Sequence, residues 1–459
     1  MVEPATGREL GRVGLAGVED VAASAAQAAA AQRDWAAIPF TERAAVLRRA
    51  GDALQRHTDE LRNWIVRETG GILAKAYVEL GHATQNCYEA AALPSKSLGE
   101  LLPSAAPRVS MVRRVPAGVV GVIAPFNAPL ALAMRSVAPA LALGNAVLLK
   151  PDPRSAVSGG VAVAAVFAEA GLPPGVLHVL PGGADIGAAV VEDPHVRVIS
   201  FTGSTAAGRC VGELAGRHLK RAHLELGGNS ALIVLEDADL DQAISAAAFG
   251  SFFYQGQACM AIGRHLVHES LYGEYVQRLA AKADALPVGD PATEQVALGP
   301  LIDEGQRDRV HQLVTSSVAA GARLAAGGTY RDLFYRPTVL VDAGPSIPAY
   351  EQEVFGPVAC VTPFATLDDA VKLASDSDYG LSLGILTRDV SCGFGLAERI
   401  PTGTAHINDQ TLNDEVHAPF GGMLASGTGS RFGGAAANID AFTETRWITV
   451  SAALPGYPF

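Results

Sequence analysis

A cysteine, a glutamate and an asparagine, far apart in this chain but each framed by turn-forming residues, make up a set that covalent carbonyl chemistry would use. Cys259 stands in Tyr254-Gln255-Gly256-Gln257-Ala258-Cys259-Met260, Glu225 in Leu224-Glu225-Leu226-Gly227-Gly228-Asn229-Ser230, and Asn127 in Pro125-Phe126-Asn127-Ala128-Pro129. A thiolate attacks a carbonyl carbon, an amide N–H holds the oxyanion that forms, and a carboxylate activates the water that later releases the acyl group.

Taken singly, each residue has an ordinary explanation. Buried cysteines are most often inert packing groups, a glutamate at a strand end is often only solvated, and an asparagine among prolines is commonly a turn former. Their surroundings favour chemistry. Gln255-Gly256-Gln257 offers a permissive backbone whose N–H groups can point at an oxyanion, and Gly227-Gly228 lets the chain turn sharply beyond Glu225. Phe201-Thr202-Gly203-Ser204-Thr205 joins a β run to a helix start, where free N–H groups suit an anion such as pyrophosphate, although no Gly-x-Gly-x-x-Gly accompanies it. A capped helix start explains that stretch better when it is taken alone, and Lys150 before Pro151 reads in isolation as a surface lysine.

The elements that must position these residues follow from periodicity. Helical patterns cover Val21–Ala37, Thr41–His57 and Thr58–Thr69, with Thr41 a plausible N-cap. Apolar β runs at Val119–Ala124, Ala146–Leu149, Val176–Leu180, Arg197–Phe201 and Ala222–Leu226 alternate with helical stretches at Leu130–Leu143, Ser155–Ala170, Ala184–Val191 and Thr205–Leu219. That alternation implies βαβ units and a parallel sheet covered on both faces. A second α/β section begins near Asn229 and includes helices over Leu240–Tyr254, Leu271–Ala285 and Glu304–Ala320. Glu225 closes the first section and Cys259 lies in the second, so the reaction centre is expected in the cleft between them. Val109–Arg114 and Val115–Ile123 read as extended strands, and the β-prone tail Trp447–Ala452 is expected to pair with a neighbouring subunit or to fold over its own lobe.

Composition narrows the function classes. The chain has 459 residues, 49% of them hydrophobic and 18% charged, which suits a large multi-lobed globular enzyme. A net charge of −12 disfavours nucleic acid or an anionic membrane surface as partner. The apolar region from Val119 to Leu149 is broken by Pro125, Asn127, Pro129, Arg135 and Pro139, so it reads as strand, turn, helix and strand, not as a membrane span. Cys87, Cys210, Cys259, Cys360 and Cys392 are scattered and odd in number, no signal peptide is apparent, and a cytoplasmic location is expected. No Cys or His spacing suggests a metal site.

These residues in this order resemble the NAD(P)-dependent aldehyde dehydrogenase superfamily over nearly the whole chain. The resemblance rests on Pro125-Phe126-Asn127-Ala128-Pro129, Lys150-Pro151, Phe201-Thr202-Gly203-Ser204-Thr205, Glu225-Leu226-Gly227-Gly228, Gly256-Gln257-Ala258-Cys259, Glu353-Val354-Phe355-Gly356-Pro357 and Pro419-Phe420-Gly421-Gly422. It implies an α/β fold with a Rossmann-type parallel-sheet nucleotide lobe (1–106 and 117–228), an α/β catalytic lobe (229–425) and a small β oligomerisation element (107–116 and 440–459). A homodimer or homotetramer follows. It further implies Cys259 as nucleophile, Asn127 with the Cys259 N–H as oxyanion donors, and Glu225 as base for hydrolysis of a thioester. The implied cofactor contacts are Ile123, Pro125, Phe126, Lys150, Gly203, Ser204, Leu226, Gly227, Glu353 and Phe355, with NAD as cofactor and NADP use open.

One departure bears on that cofactor. Many NAD-preferring relatives carry a glutamate three residues beyond the lysine, where this chain has Pro153 followed by Arg154. Cys259-Met260-Ala261-Ile262-Gly263-Arg264-His265, Lys150-Pro151-Asp152-Pro153-Arg154 and Ala425-Ser426-Gly427-Thr428-Gly429-Ser430-Arg431-Phe432-Gly433-Gly434 are similar to the benzaldehyde, vanillin and salicylaldehyde dehydrogenase branch. An aryl aldehyde is therefore the expected substrate, and Phe126, Phe252, Phe253 and Tyr254 either line an apolar funnel for a flat ring or belong to the core. Aliphatic aldehydes or semialdehydes are the alternative substrates. Rival readings are a dehydrogenase that passes the acyl group to coenzyme A, a cysteine hydrolase using His265 or His268, and a non-catalytic binding scaffold.

Overall fold

The computed structural model describes residues 1–454 and 456–459. Four helices lead in: α1 (Val18–Ala37), α2 (Phe40–Arg56), α3 (Thr58–Thr69) and α4 (Leu73–Ala92). The second begins one residue before Thr41, and Pro39 occupies the cap position with no side-chain cap. Proline's fixed φ enters the helix without help, so the expected Thr41 cap does not form. The Trp35 indole N–H donates to Leu141 O at 2.9 Å and ties α1 to the buried helix α5 (Pro129–Ala142).

After the hairpin β1 (Gly99–Leu102) and β2 (Arg108–Pro116), the chain enters a five-stranded parallel sheet. Its strands are β3 (Val119–Ile123), β4 (Ala146–Lys150), β5 (Leu177–Val179), β6 (Val196–Thr202) and β7 (Arg221–Glu225), in spatial order β5-β4-β3-β6-β7. Every residue of β3 and β4 is buried, as expected for apolar runs with helices on both faces. The order reverses beside β3, and in open α/β sheets ligands bind in the crevice outside the strand C-termini at such a point.

The helix expected over Ser155–Ala170 is α-helical only from Ala162 (α6, Ala162–Glu169); a 3₁₀ turn at Pro153–Ser155 and a π turn at Val157–Val161 precede it. Glu68 holds this irregular start by accepting the Val157 and Ser158 N–H groups at 2.9 and 2.8 Å. Helices α7 (Ala184–Glu192) and α8 (Thr205–Arg217) complete the first unit.

The second sheet has seven strands in the order Arg323–Ala326, Thr338–Val341, Val358–Phe364, β9 (Ile262–His268), β8 (Ser230–Val234), Ser382–Leu386 and Thr404–Ile407. All its pairings are parallel except the first. Alternate residues of β8 face two separate cores: Ala231 and Ile233 one way, Leu232 and Val234 the other. Helix α9 (Leu240–Phe252) stops short of the expected Tyr254, because Tyr254 and Gln255 both take left-handed backbone angles.

The expected second extended run, Val115–Ile123, is two strands, broken at Ala117-Gly118 where Gly118 has φ +122°. The tail forms a longer strand than expected, Thr443–Ser451, and pairs antiparallel with β2 of its own chain in a three-stranded sheet ordered β1, β2, tail. Pro455, within the 440–459 element expected from sequence, lies outside the described residues. Among the described residues, no helix is long and apolar enough to cross a membrane.

Candidate active site

The C-terminal edge of the five-stranded sheet gathers most of the singled-out residues. Ile123 is in register with Lys150 on one side and Phe201 on the other, and Thr202 is in register with Glu225. The turn Pro125-Phe126-Asn127 leaves β3, and Ser204 caps α8 by accepting the Ala207 N–H at 3.3 Å. The N–H groups of that first turn have no intrahelical acceptor, as at any helix start, so they are available to an anion. A Cβ at Gly203 would lie 2.6 Å from the Phe201 ring, so the absence of a side chain leaves the backbone as the approach to this helix end. Lys150 is buried at the end of β4, and desolvation pulls its pKa down. This edge fits a dinucleotide: an anion-binding helix start, a lysine at the neighbouring strand end, and a topological switch between them.

The cysteine loop is shaped by backbone geometry. Tyr254, Gln255 and Gly256 have φ of +52°, +54° and +65°, a conformation that costs an L-residue roughly 1–2 kcal/mol. Gln255 and Gln257 offset that cost. The buried Gln255 amide donates to Gly70 O at 2.9 Å and to Pro300 O at 2.8 Å, while Gln257 Oε1 accepts the Ile302 N–H at 3.1 Å. These glutamines therefore tether the loop, a structural duty beyond the permissive backbone expected from sequence. Asn127 Nδ2 donates to Gln257 O at 3.0 Å, which sets the amide two residues from the sulfur along the chain.

Glu225 is 3% exposed, and both carboxylate oxygens lack a hydrogen-bond partner. Burial pushes its pKa up to about 8, against the pull of the Arg135 and Arg431 guanidiniums and of the Gly422 N–H. A Cβ on Gly421 would stand 2.8 Å from Glu225 Oε1, so the Phe420-Gly421-Gly422 segment passes close over the carboxylate because it has no side chain there. Cys259 is only half-buried. Even so, the protein around its sulfur, and next the Glu353 carboxylate, push the thiol up to about 12, with Arg135 opposing and Glu225 adding.

Gly227 and Gly228 lie between the reactive groups. A Cβ at 227 would meet Glu353 Oε2 at 2.1 Å, and one at 228 would meet Cys259 O at 2.4 Å. The Gly228 N–H donates to Glu353 Oε1 at 3.1 Å, and burial raises the Glu353 carboxyl to about 8. Phe355, itself at φ +52°, sets its ring edge-on to Phe126 with centroids 5.9 Å apart. The other face of the site carries Arg154, stacked 4.2 Å from the Phe126 centroid and held by Asp152 and Asp303. Each of the three Arg154 guanidinium nitrogens thus has a carboxylate partner.

The structure corrects the aromatic funnel in part. Phe252 and Tyr254 are 1% and 3% exposed core residues, Phe253 stacks on Phe249 at 4.7 Å, and Phe126 packs against Phe355 of the site. Size and apolarity drew Phe252 and Tyr254 into the core. Sequence reasoning missed Arg135, Asp414 and Arg431. Arg135, paired with Asp414 and lying 4.6 Å over the Phe420 ring, acts electrostatically on both Glu225 and Cys259. Its signal was present: it is the one charged residue of helix α5. His265 is fully buried between Ser251 Oγ and the Tyr275 hydroxyl, and burial pushes its imidazole down to about 3, while His268 serves as the cap of the next helix.

Comparison with known proteins adds the relatives. The profile of the aldehyde dehydrogenase family matches residues 1–448. The chain is 74% identical to a vanillin dehydrogenase of Amycolatopsis sp. over 459 residues, covering 100% of this chain and 94% of that one. It is 53% identical to the NAD(+) benzaldehyde dehydrogenase of Pseudomonas putida over 460 residues, with 100% and 94% covered. The crystal structure of a salicylaldehyde dehydrogenase from Pseudomonas putida G7 complexed with salicylaldehyde superimposes with a TM-score of 0.96 at 34% identity, covering 100% of this chain and 95% of that one.

Proposed function

Because the chain belongs to the aldehyde dehydrogenase family, we propose that it oxidises an aromatic aldehyde to the carboxylic acid with NAD, and also NADP, as hydride acceptor. The observation that carries this reading is the approach of two separate elements to the Cys259 loop, the Asn127 turn through Gln257 O and the Gly227-Gly228 turn through Cys259 O, the second of which directly follows Glu225.

The half-buried Cys259 thiol gives its proton to solvent and its sulfur adds to the aldehyde carbon; a C–S bond forms and the carbonyl π pair becomes an oxyanion. Asn127 and the Cys259 N–H donate to that oxyanion. NAD(P)+ would supply the positive charge and the hydride acceptor for oxidation of that adduct to a thioester. Glu225 then takes a proton from water as its oxygen attacks the thioester carbon, and the C–S bond breaks to return the thiolate. A base of this kind favours hydrolysis over transfer to coenzyme A. Glu353 and Phe355, with Ile123, Pro125, Phe126, Lys150, Gly203, Ser204, Leu226 and Gly227, would hold the cofactor. No free carboxylate from the Lys150 turn repels a 2′-phosphate, because Arg154 occupies both Asp152 oxygens, which supports use of either nicotinamide. The three-stranded sheet, whose residues Leu101, Trp447 and Val450 are exposed, supports assembly into a homodimer or homotetramer, and five free cysteines support a cytoplasmic setting.

The test is a panel of aryl and alkyl aldehydes with each nicotinamide. Benzaldehyde and vanillin should exceed a straight-chain aldehyde of similar size in kcat/KM by about 10-fold or more, the discrimination a shaped apolar pocket can supply. Equal values across the panel would reject the aromatic assignment. The pH dependence follows from Glu225. Its base form exists above its pKa of about 8, so hydrolysis-limited turnover should rise with pH through that value and then level off. A kcat that stays flat from neutral to alkaline pH would remove Glu225 from the limiting step.

A further inference from the structure

Helix α4 carries two buried ionisable side chains one turn apart that belong to none of the groups above. Lys75 and Glu79 are 5% and 3% exposed, and Lys75 Nζ donates to Glu79 Oε2 at 2.5 Å. Burying such a pair confers little net stability compared with apolar residues of the same size, so its placement needs another explanation. Each partner reaches a different half of the active site. Glu79 Oε1 accepts the Leu130 N–H at 2.7 Å, in the first turn of α5, three residues after Asn127. A carboxylate there also complements the helix dipole. Lys75 Nζ lies 4.4 Å from the centroid of the Tyr254 ring, a cation–π contact in a site closed to water.

Tyr254 O in turn accepts the Gln257 N–H at 3.0 Å, and Gln257 O accepts Asn127 Nδ2 at 3.0 Å. The contacts therefore close a ring. From Asn127 they run through Pro129 and Leu130 to Glu79, across to Lys75, over Tyr254 and back through Gln257 to the Asn127 amide. Thr69 Oγ1 lies 3.5 Å from Lys75 Nζ and fixes the lysine from α3.

We propose that the Lys75–Glu79 pair is a positioning device that sets the distance between the Asn127 amide and the Cys259 loop. Neither residue touches a reacting atom. The proposal rests on the assignment of Asn127 as oxyanion donor, and the experiment separates the two.

Single-turnover formation of reduced cofactor from benzaldehyde is measured for Glu79→Ala, Asn127→Ala, their double variant, and Lys75→Met/Glu79→Gln. Loss of one oxyanion donor costs on the order of 10²–10³-fold, so Asn127→Ala should fall in that range. Glu79→Ala should lose about 10²-fold in the same step, as small misplacements do, with KM for the cofactor within about two-fold. The double variant should fall no more than about three-fold below Asn127→Ala, because residues acting as a unit are not additive. Lys75→Met/Glu79→Gln keeps an acceptor for Leu130 and an unbranched stem over Tyr254, and should recover to within about ten-fold of the parent enzyme.

A double variant showing the full product of the two losses would overturn the positioning role, as would a Lys75→Met/Glu79→Gln protein as slow as Glu79→Ala. An Asn127→Ala enzyme at the parental rate would overturn the oxyanion assignment and the positioning role with it. Should Glu79→Ala not fold, the cycle is run with Lys75→Ala, which removes the stem over Tyr254 and so cuts that side of the ring; the same overlap supports the proposal and full multiplication overturns it.

Discussion

Cys259→Ala is expected to abolish formation of reduced cofactor from benzaldehyde, a loss of at least about 10⁴-fold, on the scale seen when a covalent nucleophile is removed. No other group can substitute. Among the described residues the remaining thiols, Cys87, Cys210, Cys360 and Cys392, are not in the site: Cys87 and Cys360 are core residues, Cys210 lies on α8 and Cys392 on a distant helix. The substitution removes only a small polar atom from a half-buried position, so cofactor binding and melting temperature should stay close to the parent. Reduced-cofactor absorbance, with thermal unfolding as control, decides it. A variant within ten-fold of the parent enzyme would exclude the covalent route.

Glu225→Gln should separate the two halves of the reaction. The amide keeps the shape of a side chain whose oxygens have no hydrogen-bond partners to lose and replaces a carboxyl that is mostly neutral below pH 8, so the substitution leaves the fold intact. Hydride transfer does not need the carboxylate, and the first turnover should release one equivalent of reduced cofactor per active site. Steady-state turnover should then fall by about 10²–10⁴-fold, the contribution of a positioned general base. Acid-quenched protein should carry the acyl group as an added mass on the peptide containing Cys259. A parental steady-state rate with no acyl-enzyme would remove Glu225 from the hydrolytic step.

Much of the first unit could be read from sequence because its signals are local. Buried parallel strands such as Val119–Ile123 and Ala146–Lys150 are uninterrupted apolar runs between Gly and Pro, and the helices between them carry their own periodicity. The helix expected at Ser155 and the one expected to reach Tyr254 differ from the structure for a shared reason. In both, partners distant in sequence set the backbone: Glu68 at the first, Gly70, Pro300 and Lys75 at the second. The Arg135–Asp414 pair was hidden for the same reason, since 279 residues separate its members. What periodicity conveys is which face is apolar; which charges meet across the cleft depends on how two sheets dock.

The tethering of the cysteine loop has a consequence for how the enzyme comes into being. Two consecutive left-handed L-residues hold their shape only once the Gln255 amide has found Gly70 O and Pro300 O, and Gln257 has found Ile302. A nascent polypeptide that has not yet emerged past residue 302 lacks two of those anchors, and its thiol sits in a segment free to relax away from the strained turn. The turn that presents the nucleophile is thus completed by anchors lying more than forty residues beyond it in the chain.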